Sequence, residues 1–204
     1  MKKSLFSERV FIFFIVFISA IYAFIRYIII KGLPLADIPL YLCNKVLAFS
    51  SVVLLFFSLI FNKIEYFFKK KSDTSVIIST GLRLGLLHGI ISILILSWGY
   101  FPKFYTEIGT INLQGGWALF FGIISFLTVV EILFFKISFE KILKIFFILV
   151  LIHTVITGYD GWLKFSKWPS YLPPFSLIAF FILILSVVLS FLKPSQNKRN
   201  IRKR

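Results

Sequence analysis
Cysteine and histidine are nearly absent from this chain: one Cys, Cys43, and two His, His88 and His153, among 204 residues. A single thiol excludes an intrachain disulfide and any cysteine-held metal cluster. Cys43 is therefore expected to be a small packing residue between helices. Acids are scarce too, 8 Asp+Glu against 23 Lys+Arg. No Gly-x-Gly-x-x-Gly stands anywhere, so the chain has no dinucleotide fingerprint. No serine, histidine and acid are spaced as a hydrolase set. No paired Gly/Pro interruptions mark the broken helices of a transporter. There is no internal repeat.

What is abundant is apolar surface. Hydrophobic residues make up 59% and the mean hydropathy is +0.95, against about 45–50% apolar in soluble domains. The excess is gathered in six runs, and a spanning helix needs roughly 20 such residues. The pattern predicts an all-α membrane protein, a bundle of six transmembrane helices at about 9–30, 40–62, 76–99, 115–136, 141–159 and 173–192. These use up the length, so residues 1–192 read as one transmembrane domain and 193–204 as a basic tail. The run from Val10 to Ile30 is too long for a signal-peptide core and reads as an uncleaved first span. Breakers fall between the runs: Gly32, Pro34 and Pro39, the Lys69–Lys71 run with Asp73, and the Pro173-Pro174 pair.

The net charge is +15, but its distribution argues against nucleic acid. The cations sit between the apolar runs. On one side lie 16 of the 23, in the start of the chain and in segments 63–71, 136–144 and 193–204. On the other lie Arg26, Lys31, Lys45, Lys103, Lys164 and Lys167, and Arg83 falls within the third run. The positive-inside rule then puts both termini in the cytoplasm, with the lipid bilayer as the main partner. Trp98, Tyr100, Phe104, Trp162, Trp168 and Tyr171 gather at the opposite ends, as an interfacial aromatic belt. Heavy use of Phe, Ile and Lys matches an AT-rich bacterial genome.

Both histidines fall inside apolar runs. His88 is about 12 residues into the third helix and His153 about 12 into the fifth, so each lies roughly 18 Å from the same membrane face. Two imidazoles at one depth on parallel helices suit the two axial positions of a haem iron. The competing reading is that each simply hydrogen-bonds a neighbouring helix. Ionisable groups in lipid are costly and mark function more often than not.

A resemblance joins these residues. Gly81-Leu82-Arg83-Leu84-Gly85 leading to His88, and Ile142-Leu143-Lys144 leading to Leu151-Ile152-His153, resemble histidine-bearing helices of bacterial ferric reductase-like transmembrane proteins. Pro39-Leu40-Tyr41 with Asn44-Lys45, Pro102-Lys103-Phe104 with Asn112-Leu113, and Gly161-Trp162-Leu163 through Trp168-Pro169 to Pro173-Pro174 are similar to small members of that group, over about 39–190. The resemblance implies a b-type haem electron-transfer domain of a bacterial inner membrane. Larger relatives use four histidines for two haems, whereas two histidines here allow at most one. With no flavin or nicotinamide signature, electrons are expected from a quinol or a separate redox protein. The rival expectation is a haem-free membrane scaffold or partner subunit with structural histidines.

Four charged residues complete the expected site. Arg26 and Lys45, near the same ends of their helices, are candidates either for contacts to the haem propionates or for snorkelling to headgroups. Arg83 and Glu131 lie about 10 Å and about 8 Å from one face on adjacent helices. They are expected either to pair or, respectively, to snorkel and to be protonated.

Overall fold
The computed structural model describes residues 2–68, 74–97, 99–135 and 139–192. Lys69–Lys71, Trp98, Lys136 and the 193–204 tail, on which the charge and belt readings partly draw, lie outside the described residues. The described chain is all-helical. Its six long helices are α1 (Lys2–Ala23), α2 (Cys43–Phe68), α3 (Ser75–Leu94), α4 (Leu113–Phe134), α5 (Phe139–Trp162) and α6 (Phe175–Phe191). All six belong to segments long and apolar enough to cross a membrane. Large apolar side chains point outward, among them Phe13 at 68%, Phe134 at 67% and Phe181 at 58% exposure. A water-facing surface would not tolerate so many, whereas lipid does.

Packing between lipid-facing helices depends on close approach rather than on expelling water. Helices α2, α3, α4, α5 and α6 pack each on the next, and α6 returns to α2, giving a ring of five with α1 laid outside on α2. The α2–α3 seam is made by glycines four apart on α3. A Cβ at Gly81 would stand 3.0 Å from Leu55, and one at Gly85 3.0 Å from Ser51 Oγ. Ser51 Oγ uses that proximity to donate to the Gly81 carbonyl at 2.7 Å. One turn on, Gly89 admits the Phe126 ring of α4.

The ring interior divides along its length. Towards the chain termini it is plugged by Leu55, Leu59, Leu82, Val129, Phe147 and Leu183 with their neighbours, contributed by all five ring helices. His88 lies six residues beyond Leu82 on α3, and His153 six beyond Phe147 on α5. Leu86 and Leu151, packed against this plug, lie two residues before His88 and His153, so each histidine stands at its edge.

Helix boundaries shift where local chemistry dictates. The chain after α1 widens into a π-helical stretch, Phe24–Ile30, ended by Gly32 at φ +69°, a left-handed stop natural for glycine. A second π stretch, Ile38–Leu42, precedes α2, with Pro39 unable to donate to the ladder there. Helix α3 stops at Leu94, earlier than the apolar pattern predicts, because the chain turns at Ser97 and buries Ile95. Cys43 is exposed, contrary to the expected packing role.

Candidate functional site
Each histidine is held by a neighbouring helix through the same ring atom. His88 Nδ1 lies 2.7 Å from Asn44 Oδ1 of α2. Asn44 is oriented for this because its Nδ2 donates to Ser92 Oγ of α3 at 3.0 Å. His153 Nδ1 lies 2.9 Å from the Ala118 carbonyl of α4. Both partners are carbonyl oxygens, which only accept, so Nδ1–H must donate in each case. That sets the tautomer and leaves each Nε2 with its lone pair. Among the described residues neither Nε2 has a hydrogen-bond partner. Small residues make the room: a Cβ at Gly122, one turn from Ala118, would stand 3.1 Å from His153 Cε1.

The expected cations converge on one tyrosine. Lys45 Nζ sits 5.2 Å from the Tyr27 ring centre and 4.5 Å from that of Tyr41. The Arg26 guanidinium sits 5.4 Å from Tyr27. Arg26 is 6% exposed and donates through Nη1 to the Leu172 carbonyl, tying the end of the α1 segment to the entry of α6. Its Nε is buried with no partner among the described residues.

A third cation, Lys103, entered the sequence reading only as a loop charge and within the Pro102-Lys103-Phe104 motif, with no role at the site. The α3–α4 loop makes a short 3-10 turn, Pro102–Phe104, and returns through a tight turn closed by Thr106 N donating to Thr110 O at 2.7 Å. Asn112 then does three things. Its Oδ1 accepts from Gly115 N at 2.8 Å and caps α4; its Nδ2 donates to the Lys103 carbonyl at 2.8 Å; its N–H donates to the Phe104 carbonyl at 2.9 Å. Gly115 permits this closeness, since a Cβ there would meet the Phe104 carbonyl at 2.6 Å. The loop is thus fixed to the first turn of α4, and Lys103 Nζ donates to the Thr157 carbonyl of α5, one turn beyond His153. Burial pushes the Lys103 ammonium below the usual lysine range; Lys45 adds to this and Asp160 opposes it.

Arg83 and Glu131 are not brought together. Both side chains are exposed, and no ion pair joins them among the described residues. Their distances to the lipid–water boundary, not to each other, then govern their cost. Replacing each with leucine is expected to change stability additively, within about 0.5 kcal/mol, in a double-mutant cycle. A coupling above about 1 kcal/mol would reinstate the pair.

No protein-family model and no curated protein matches this sequence. The functional argument is therefore carried by the site. Among the described residues no three His, Cys, Asp or Glu are grouped to cage a bare metal ion. Each of the two imidazoles leaves Nε2 as an available donor atom for a metal whose remaining ligands would come from elsewhere. An open groove of about 400 Å³, lined by Gln114, Trp117, Ile156, Tyr159 and Asp160 among others, lies on the surface of α4 and α5 rather than between the histidines.

Proposed function
We propose that this chain is a b-type haem electron-transfer protein of the ferric reductase-like kind, spanning a bacterial inner membrane with both termini cytoplasmic. The observation that carries the reading is the matched treatment of the only two histidines. Each is fixed through Nδ1 to an oxygen of an adjacent helix, which is how proteins orient a metal-ligating imidazole and raise its basicity. Haem, when bound, supplies a one-electron carrier. The residues of the chain would do the rest: His88 and His153 would hold the iron from α3 and α5, while Asn44 and the Ala118 carbonyl hold their rings and the ring of helices would keep out water. Lys45 and Arg26 supply positive charge for the propionates. With no nucleotide signature in the sequence, a quinol or a separate redox protein would deliver the electron.

The second reading is a haem-free scaffold or partner subunit. It has its own support, since the same two hydrogen bonds also staple α3 to α2 and α5 to α4. An absorption spectrum separates the two. The purified chain, reduced with dithionite, is expected to show the sharp visible bands of six-coordinate b haem, and a colourless preparation favours the scaffold. Orientation is tested separately. A phosphatase reporter that is active only outside the cytoplasm, fused after Arg204, is expected to be silent; activity there would reverse the topology.

A further inference from the structure
Three cations share the loop-bearing end of the bundle. Arg26 and Lys45 flank the Tyr27 ring at 5.4 and 5.2 Å; Lys45 also lies 4.5 Å from the Tyr41 ring, which packs on Phe101 of the loop that carries Lys103; and Lys103 Nζ reaches the Thr157 carbonyl one turn beyond His153. Among the described residues none of the three makes an ion pair, and Arg26 Nε is buried without a partner. Arg26 is 6% exposed and Lys45 is half-buried, with Lys103 exposed beside them, and positive charge held in an apolar interior is costly unless an anion joins it. Asp160 is the one acid that bears on Lys103, without an ion pair between them, and its Oδ2 also accepts from Gln114 Nε2 at 3.1 Å. The placement of Lys103 is also costly to build: it takes the Asn112 double hydrogen bond and a glycine at 115 to fix one loop lysine over α5.

We propose that Lys103 is a carboxylate-binding residue of the histidine site, completing with Lys45 and Arg26 a cationic arc that selects a macrocycle bearing acidic side groups. This rests on the haem reading. The Lys103 ammonium now held by the Thr157 carbonyl turns to one propionate while Lys45 faces the other. The bland alternative is that Lys103 only neutralises the carbonyl end of α5, as a basic residue near a helix C-terminus does.

The two are separated by esterifying the ligand. Full-length protein made under haem limitation is titrated with iron protoporphyrin and with its dimethyl ester, which keeps the iron and the ring but lacks both charges. The wild type is expected to bind the diacid more tightly than the ester. Lys103→Met should weaken diacid binding about tenfold, the size of one charge-assisted hydrogen bond, and leave ester binding unchanged; Lys103→Arg should restore the preference. An equal loss for both ligands, or a diacid preference undiminished in Lys103→Met, would overturn the assignment and make Lys103 a helix-end contact. Failure of the wild type to bind either porphyrin would instead overturn the haem reading itself, and the assignment with it.

Discussion
Replacing His88 or His153 with alanine is expected to leave a chain that binds haem at least about tenfold more weakly, and replacing both is expected to abolish binding. Each is the only imidazole its helix can offer, since the chain has no other histidine. Haem retained by a single variant should be five-coordinate and high-spin, and should bind carbon monoxide at the vacated position. Stability should fall with occupancy. A ligand held only by the folded state contributes about 2.7 kcal/mol at a hundredfold excess over its dissociation constant. The measurement is haem per polypeptide, with carbon monoxide difference spectra, for the wild type and all three variants. Single variants with full stoichiometry and unchanged six-coordinate spectra would remove both histidines from the site.

Asn44→Leu is expected to have the next largest effect, although Asn44 would not touch the iron. Its Oδ1 accepts from His88 Nδ1 at 2.7 Å, and its Nδ2 holds Ser92. Leucine fills similar space but cannot accept, so the imidazole loses its orienting bond and part of its basicity. Outer-shell changes of this kind cost about 10–100-fold in metal affinity. A less basic ligand also favours ferrous over ferric iron, so the midpoint potential of the remaining haem should rise. A redox titration with wild-type potential, whatever the haem content, would show that Asn44 is only a packing residue. The shift in potential matters here, because a purely structural role for Asn44 would lower haem content without moving it.

The six long apolar helices were legible in the sequence because crossing a membrane requires a length and a polarity that few other constraints override. Breakers such as Gly32 and Pro39 fell where helices do change character. The ends were less legible. The expected third helix ran to 99, whereas α3 stops at Leu94, because an apolar run shows what lipid accepts and not where a turn such as that at Ser97 begins. The histidines stood out by rarity. Their supports did not: an Asn at a helix start, a backbone carbonyl at Ala118 and a glycine at 122 carry no chemical signature of their own. The Gly81, Gly85 and Gly89 spacing was the one available signal for the α2–α3–α4 seam. Arg83 and Glu131 illustrate the limit of depth alone. Equal distance from a membrane face says nothing about which way two side chains point around their helices. Lys103 and Asn112 stood in the sequence as parts of one motif, but their contact did not: Asn112, nine residues on, folds the loop so that a lysine between two helices reaches α5.

The most direct test of the central claim is low-temperature electron paramagnetic resonance of the oxidised, purified chain, with haem and protein quantified in the same sample. Two imidazoles on one ferric iron impose a strong axial field, so the account predicts a low-spin signal at one haem per polypeptide. A high-spin signal alone would deny one of the two ligands. The absence of any haem signal from protein made with haem in excess would contradict the account as a whole, leaving His88 and His153 as staples between helices.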